Sequence, residues 1–332
     1  MIKVKPVKSA HLSRKLFKKS IDMVPTRFGY GDGLVEAGKK DENVVALCCD
    51  LTDSTKTSGF AKAFPERYFE LGVAEQNMAG VAAGLALEGK VPFIASYAVF
   101  SPGRNWDQIR ISICYSKTNV KIAGAHAGIS VGPDGATHQA LEDIATMRVL
   151  PNMTVICPCD AEETRKATIE AAKLKGPVYL RFGRAPSPVF TTKKTPFKIG
   201  VAQVFLEGSD VTVVACSQLV YEAMLAAYEL AKVGVSAEVI NLATIKPFDS
   251  NTILKSVKKT GAVVTVEEHQ KNGGLGGAVA EALSENMPTP MERVGVNDRF
   301  GESGTPSELL EAFDLTHPAI IKKINKVLKR KK

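Results

Sequence analysis

The sequence predicts an α/β protein made of two doubly wound domains. Short β-branched runs alternate with helical patterns along the chain, as in parallel sheets covered by helices. Residues 186–200 interrupt this alternation with proline, threonine and lysine, which indicates a linker. The length of 332 residues suffices for two domains of ordinary size. We therefore expect a basic arm at 1–24, a first domain at 25–185, this linker, and a second domain at 201–332.

Five buried parallel strands are predicted in the first domain, because each run is short, apolar and rich in β-branched residues. They cover residues 43–49, 90–96, 119–125, 153–158 and 177–182. Apolar residues at helical spacing predict helices between them, at residues 74–87, 104–116, 139–150 and 161–174. A further helix begins near Arg27.

The second domain repeats the alternation without repeating the sequence of the first. Its predicted strands cover residues 202–206, 211–216, 236–242, 262–268 and 291–296. Its predicted helices cover residues 219–233, 251–259, 275–283, 306–312 and 319–328. This order of elements predicts a second parallel sheet with helices on its faces.

Composition excludes several classes of protein. Hydrophobic residues make up 45% and charged residues 23% of the chain, as in a globular protein. No apolar window is long enough to span a membrane, and the N-terminus lacks the apolar segment of a secretion signal. The net charge of +8 concentrates at the two ends without interleaved aromatic residues, so we expect no nucleic-acid partner. Six cysteines, mostly in apolar runs, suggest free thiols in the cytoplasm.

The segment from His126 to Gln139, HAGISVGPDGATHQ, gathers side chains capable of acid–base chemistry. His126 ends a predicted strand, Asp134 lies in a Gly-Pro-Asp-Gly turn, and His138 is expected to open the next helix. Ligands of doubly wound sheets bind at the carboxyl ends of strands. Structural and catalytic roles for these residues are about equally supported by the residues alone. No pair of ligands on one helical face indicates a metal site.

Glu75 lies at the start of an apolar helix that is rich in small residues. A glutamate in the first turn can simply complement the helix dipole. A buried carboxyl can instead exchange a proton with a ligand. The residues alone favour the first role, and leave the second open.

Arginines and a hydroxyl form a third group of candidates. Arg27 opens the first helix, Arg104 lies in SPGRNWDQ, and Arg181 and Arg184 follow a strand in LRFGR. Arginine suits bidentate binding of phosphate, and Ser54 can add a hydroxyl. Each arginine can alternatively be an ordinary charged residue on the surface that binds no phosphate.

Two glycine-rich motifs are set aside as weak. GDG at 31–33 lacks a suitably spaced asparagine and falls within a helical pattern, so we expect it to be non-functional. GGLGG at 273–277 precedes a helix but lacks the spacing of a dinucleotide-binding fingerprint.

The motifs VPTRFGYGDGL, LGVAEQNMAG, HAGISVGPDGATHQALEDIATMRVLPN and GVNDRFGESG together resemble the transketolase family, in the half that follows its diphosphate-binding domain. The resemblance implies a thiamine-diphosphate pyrimidine-binding domain at 25–185 and a transketolase C-terminal domain at 201–332. It also implies a transferase that moves a two-carbon ketol unit from a ketose phosphate to an aldose phosphate, as in the pentose phosphate pathway.

The resemblance further implies roles for individual residues. Glu75 would hydrogen-bond the pyrimidine ring of thiamine diphosphate, and Tyr97 and Phe100 would stack around that ring. His126 and His138 would act as catalytic residues in the sugar channel.

The substrate would be held by residues around this channel. Asp134 would line it with the two histidines. Arg27 and Ser54 would hold the substrate phosphate, with Arg181 and Arg184 as alternatives for a further arginine.

The sequence shows no site for the diphosphate or its metal. The resemblance therefore implies a partner subunit that binds Mg²⁺ or Ca²⁺, and an assembly of two such chains with two partner chains. Three alternatives remain: the beta subunit of a 2-oxoacid dehydrogenase, an enzyme similar to 1-deoxyxylulose-5-phosphate synthase, and a non-catalytic assembly subunit. The histidine preceding PDGATHQ argues against the first two.

Overall fold

The computed structural model describes residues 4–331. Its strands are β1 (Lys5–Pro6), β2 (Met23–Pro25), β3 (Val44–Cys48), β4 (Tyr68–Glu70), β5 (Val91–Tyr97), β6 (Lys121–Ala125), β7 (Thr154–Ile156), β8 (Val178–Arg181), β9 (Pro186–Pro188), β10 (Gln203–Glu207), β11 (Val211–Ala215), β12 (Ala237–Asn241), β13 (Thr244–Lys246), β14 (Val263–Gln270) and β15 (Met291–Val296).

The α-helices are α1 (Thr26–Lys40), α2 (Ser58–Ala63), α3 (Glu75–Leu87), α4 (Trp106–Gln108), α5 (Asp143–Arg148), α6 (Ala161–Lys173), α7 (Leu219–Lys232), α8 (Ser250–Thr260), α9 (Leu275–Asn286), α10 (Pro306–Ala312) and α11 (His317–Leu328). A π-helical segment, Ile109–Tyr115, continues directly from α4. None of the helices in residues 4–331 combines the length and apolar character that a membrane crossing requires.

The first sheet has the order β13-β7-β8-β6-β5-β3-β4, and its strands are parallel except for β13. The predicted strands of this domain are all present within a few residues. Two edge strands were not predicted: β4 is only three residues long, and β13 arrives from the second half of the chain. The parallel order brings the carboxyl ends of β3, β5, β6 and β8 to one edge of the sheet.

The second sheet has the order β1-β10-β12-β11-β14-β15. Strands β12, β11, β14 and β15 are parallel to one another. Strand β10, which was predicted in a parallel sheet, instead pairs antiparallel with β12, and β1 pairs antiparallel with β10. The basic arm supplies β1, and its apolar side chains pack on this domain, with Phe17 stacked on Tyr228 at 4.7 Å. The α/β class with two wound sheets is thus confirmed.

The two domains share one apolar core. Met147 and Val155 of the first domain cluster with Leu242, Ile245 and Leu275 of the second. The predicted linker is also fixed in place, because β9 pairs with β2 and Phe190 is buried against Phe205. Burial of this shared surface holds the second domain against the first.

The glycines of the GDG region serve helix packing. A Cβ atom at Gly29 would lie 1.9 Å from the carbonyl oxygen of Ala161, and one at Gly33 would lie 2.7 Å from that of Arg165. Only glycine therefore lets α1 approach α6 this closely. The prediction that GDG lies within a helix is confirmed, since α1 spans it.

Candidate active site

Three strand ends of the first sheet meet at the candidate active site. Tyr97 ends β5, His126 directly follows β6, and Ser54 lies in the turn after β3. The hydroxyl groups of Tyr97 and Ser54 are 2.9 Å apart. The edge of the sheet therefore brings together residues that are up to 72 positions apart in the chain. The strand-end argument from the sequence predicted this place for His126.

His126 is fully buried and has a left-handed backbone, with φ of 53°. Its Nε2 atom lies 3.2 Å from the carbonyl oxygen of Ser54 and 3.4 Å from Nη1 of Arg27. Burial, followed by the positive charges of Arg27 and Arg184, lowers the pKa of His126 to about 3. The imidazole is therefore neutral near pH 7 and can exchange hydrogen bonds with a sugar hydroxyl.

Tyr97, Phe100 and the two histidines form an aromatic cluster. The rings of Tyr97 and Phe100 are nearly parallel, with centroids 6.1 Å apart. His138 stands edge-on to both rings, at 5.8 and 5.4 Å, and His126 stands edge-on to Tyr97 at 4.3 Å. Edge-to-face contacts of this kind are favourable and orient the imidazole rings.

His138 lies in a turn rather than at the start of a helix, which corrects the sequence prediction. The next helix, α5, begins only at Asp143. The side-chain amide of Gln139 donates to the carbonyl oxygens of Ile129 and Gly132, and this keeps the segment folded back on the loop. The Nδ1 atom of His138 lies 2.9 Å from the hydroxyl of Thr137.

Glu75 is the first residue of α3 and is only 2% exposed. Its Oε2 atom accepts a hydrogen bond of 2.7 Å from Arg104, whose guanidinium also lies 4.9 Å from the ring centre of Phe100. Asn105 donates to the backbone carbonyl of Glu75 at 3.1 Å. Arg104 thus joins the buried carboxylate to the aromatic cluster, and no sequence pattern indicated this pairing.

Asp134 and Arg184 form an ion pair of 2.7 Å beside the histidines. Arg27 donates to the carbonyl oxygen of Ser54 at 2.9 Å. Burial, followed by repulsion from Arg184, lowers the pKa of Arg27. Two guanidinium groups and a carboxylate therefore lie within one polar region around His126.

Arg181 lies away from this region, contrary to one of the two alternatives. Its side chain is 1% exposed, and its Nε atom donates to buried Asp143 at 2.8 Å. Its Nη2 atom donates to the carbonyl oxygen of Glu268, also at 2.8 Å. The guanidinium is therefore used within the core, and Arg184 is the arginine of this pair that borders the site.

The second domain holds the histidine-bearing loop, a role that the sequence analysis missed. Buried Glu268 accepts hydrogen bonds from the backbone of Ser130 at 2.6 Å and from Gln218 at 2.7 Å. A Cβ atom at Gly128 would lie 2.4 Å from the Glu268 carboxylate, so glycine is needed there. The available signal was a pair of acidic residues inside the apolar run of β14.

The backbone amides of the GGLGG motif are hydrogen-bonded to a carboxylate of the same domain. Glu267 accepts hydrogen bonds from the backbone nitrogens of Leu275 and Gly276 at 2.7 and 2.8 Å. These amides at the start of α9 are therefore already satisfied by a carboxylate.

Five cavities found among residues 4–331 are lined by other residues than Glu75, His126 and His138. In the same range, no group of three or more His, Cys, Asp and Glu side chains is placed to hold a metal ion.

The fold and this strand-end site define a two-domain α/β chain of the class that binds cofactors at the edge of a parallel sheet. A family model of the transketolase pyrimidine-binding domain matches residues 22–188, and one of the transketolase C-terminal domain matches residues 200–320. The chain belongs to the transketolase family.

Its relatives include separate C-terminal subunits. A chain named as a transketolase C-terminal section, from Methanocaldococcus jannaschii, is 47% identical over 92% of this chain and 96% of its own length. A subunit of the 6-deoxy-6-sulfo-D-fructose transketolase of a Clostridium species is 44% identical over 91% and 94%. The solved structure of a split-gene transketolase, an inactive β4 tetramer, has 50% identity and a TM-score of 0.88, covering 93% of this chain and all of that one. This chain thus corresponds to the C-terminal section of split transketolases.

Proposed function

We propose that this chain is the pyrimidine-binding subunit of a thiamine-diphosphate-dependent transketolase. With a complementary subunit, it would transfer a two-carbon ketol unit from a ketose phosphate to an aldose phosphate. The observation that carries the proposal is the buried carboxylate of Glu75, joined through Arg104 to a cluster of two aromatic rings and two imidazoles.

The residues present fit the pyrimidine end of thiamine diphosphate. Glu75 is buried, and the hydrogen bond recorded for its carboxylate within residues 4–331 comes from half-exposed Arg104. That partner can move aside toward solvent and release the carboxylate to a ring nitrogen. Tyr97 and Phe100 offer flat apolar faces for a heterocycle.

Thiamine diphosphate supplies, when bound, the carbon atom that accepts and then donates the ketol unit. In this proposal, Glu75 holds a proton at a pyrimidine nitrogen. His126, kept neutral by burial, hydrogen-bonds a donor hydroxyl. His138 carries a proton to and from the reacting oxygen, at the position where its ring faces Tyr97 and Phe100.

The anionic end of the sugar phosphate would bind Arg27 and Arg184. Arg184 is engaged by Asp134 in the structure, with side chains that are 37% and 28% exposed, so a phosphate can compete for it. Ser54 adds a hydroxyl, although Tyr97 contacts that group in the structure. Asp134, once released, can accept a hydrogen bond from a sugar hydroxyl.

The complementary subunit would contribute the diphosphate site and its Mg²⁺ or Ca²⁺, and two chains of each kind would assemble. Helix α3 supports this part of the proposal. Its apolar sequence continues onto its outer face, where Val81 is 36% and Leu87 is 74% exposed. Cβ atoms built at Gly80 and Gly84 would meet nothing within 4 Å. An apolar helix with an open face is typical of a subunit contact.

The decisive experiment combines the purified chain with the complementary subunit, thiamine diphosphate, Mg²⁺, a ketose phosphate and an aldose phosphate. We expect ketol transfer, followed by mass spectrometry of the sugar products, only when both subunits are present. Either subunit alone should be inactive. A complete mixture that forms the assembly but transfers no ketol unit contradicts the proposal.

The same mixture separates the alternative functions. Turnover of pyruvate in place of ketose phosphates would favour a 2-oxoacid dehydrogenase or a 1-deoxyxylulose-5-phosphate synthase. Unchanged turnover after Glu75→Gln would favour a non-catalytic assembly role. We also place the complex in the cytoplasm, because all six cysteines are buried free thiols.

Helix α3 is tested by Val81→Arg, which should prevent assembly of the two subunits in light-scattering measurements while the chain stays folded. The matched control is Val233→Arg, a valine of the second domain that is 76% exposed. Assembly that survives Val81→Arg would exclude this face of α3 as the contact.

A further inference from the structure

A basic cavity lies on the second domain, between the carboxyl end of β15 and helix α11. It has a volume of about 450 Å³. Among residues 4–331, its lining includes one carboxylate, Asp314, and five cationic side chains: Lys271, Arg293, Arg299, Lys322 and Lys323. None of these residues belongs to the candidate active site, so the cavity is independent of the proposed function.

Internal contacts hold the two guanidinium groups in place. Arg293 donates to the carbonyl oxygen of Lys271 at 2.7 Å. Arg299 donates to the carbonyl oxygen of Ala312 at 2.6 Å and lies 3.6 Å from the ring centre of Phe313. Each guanidinium has five N–H donors, so these contacts leave donors on both arginines for a ligand.

The lysines are only partly neutralised. Lys323 lies 3.4 Å from Glu292, a carboxylate that also pairs with Lys326 and Arg330. Lys271 donates to the neutral amide of Asn297 at 3.1 Å. For exposed Lys322, no ion pair or hydrogen bond is recorded within the described chain.

The crowding of positive charges is unfavourable without a counter-charge. Burial, followed by repulsion from Lys323 and Arg293, lowers the pKa of Lys271, whereas Asp314 and Glu292 act in the opposite direction. An anion in the cavity would relieve this repulsion and accept charge-assisted hydrogen bonds.

We propose that this cavity binds a small phosphorylated anion with two phosphate groups, such as diphosphate or a sugar bisphosphate. Five cationic side chains against one carboxylate suit a ligand with several negative charges. The aromatic lining residue, Phe313, is 4% exposed and covered by Arg299, so it offers no free face for a nucleobase. The chemistry therefore favours a compact phosphate over a nucleotide.

Calorimetric titration of the full chain with inorganic diphosphate, at constant ionic strength, tests the proposal. We expect saturable binding, and a loss of about tenfold or more in affinity for Lys271→Gln/Lys322→Gln, because the double variant removes two positive charges from the cavity. The matched control, Lys258→Gln/Lys329→Gln, removes two exposed lysines outside the cavity and should bind within about twofold of the original chain. Lys322→Gln alone, at an exposed position, should give a smaller loss without affecting folding.

Three results would overturn the proposal. The first is the absence of saturable diphosphate binding. The second is equal affinity for the double variant and its control. The third is loss of binding in Arg27→Gln/Arg184→Gln, which would place the diphosphate in the candidate active site.

Discussion

Two neighbouring polar regions of this chain contain similar residue types and use them differently. The first, which we name the cleft, is formed by Arg27, Ser54, Tyr97, His126, Asp134, His138 and Arg184. The second, which we name the seam, lies between the domains and is formed by Ser130, Asp143, Tyr179, Arg181, Gln218 and Glu268.

Hydrogen bonding separates the two regions. In the seam, both carboxylate oxygens of Glu268 accept hydrogen bonds, and Arg181 donates to Asp143 and to a backbone carbonyl. In the cleft, Nε of Arg27 and Nδ1 of His126 are buried without a recorded partner in residues 4–331, whereas in the seam this holds for one atom, Oδ1 of Asp143. Buried polar atoms without partners are costly unless a ligand satisfies them. We infer from this comparison that the seam serves stability and the cleft serves binding.

The largest expected effect is on the seam. Arg181→Met leaves the Asp143 carboxylate buried and unpaired, because both side chains are 1% exposed. We expect the free energy of unfolding to fall by about 3–5 kcal/mol in urea titrations. Arg184→Met is the matched control, since its pair with Asp134 is partly exposed and should change stability by no more than about 1 kcal/mol. Equal losses for the two variants would remove the distinction between seam and cleft.

The second effect concerns catalysis. Glu75→Gln keeps the shape of the side chain but removes its negative charge, so we expect ketol transfer by the reconstituted enzyme to fall about 10²- to 10⁴-fold. Stability should change little, because the Arg104 partner is 48% exposed. Glu88→Gln, at the exposed end of the same helix, is the control and should leave the rate unchanged. A slow Glu75→Gln enzyme that is also largely unfolded would instead place Glu75 with the stabilising residues.

The sequence predicted much of the cleft because one rule of parallel sheets applies to it. His126 was predicted from the end of its strand, because short, continuous apolar runs locate such strand ends well. Tyr97 ends the adjacent strand, and it was predicted from the family resemblance. The alternation of strands and helices likewise predicted both sheets. What it could not predict was β13, since a three-residue strand that joins the sheet of the other domain has no local signal.

The seam was missed for a related reason. Glu268 contacts Ser130 across 138 positions of sequence, and the Arg104 contact with Glu75 spans 29. The first pair depends on how the two domains pack and the second on how two segments of one domain pack, and no local pattern encodes either. Arg181 and Arg184 are three residues apart and of one type, so sequence left them as alternatives. The structure separates them because Arg181 still belongs to β8 and points into the shared core, whereas Arg184 follows it.

A third prediction tests substrate binding in the cleft. Arg184→Gln should raise the KM for a sugar phosphate about 30-fold, the cost of one hydrogen bond between charged groups, with kcat nearly unchanged. The measurement is steady-state kinetics of the reconstituted enzyme. The same variant assayed with the corresponding sugar without phosphate should show no difference from the original enzyme. A similar change for both sugars would mean that Arg184 acts through Asp134 and the loop instead of the phosphate.

The smallest expected effect is the pH dependence that His126 of the cleft adds to the free energy of unfolding. The pKa of His126 in the folded chain is about 3, below its ordinary value of 6.5. Between these values the unfolded chain binds a proton that the folded chain does not, so this group reduces stability as pH falls below about 6.5. The loss from pH 7 to pH 5 should be about 2 kcal/mol, and His126→Gln should abolish it. Urea titrations at pH 7, 6 and 5 measure how the free energy of unfolding changes with pH in the original chain and in His126→Gln.

Buried carboxyls elsewhere act in the opposite direction but cancel in this comparison. Burial raises the pKa of Glu163 and of Glu267 to about 7, so the folded chain retains their protons between about pH 4.5 and 7 and gains stability as pH falls. Both groups are present in the original chain and in His126→Gln, and the difference between the two slopes therefore reports the imidazole alone. Identical slopes would mean that His126 is protonated as readily in the folded chain as in the unfolded one, and the cleft would then hold a charged imidazole at mildly acidic pH.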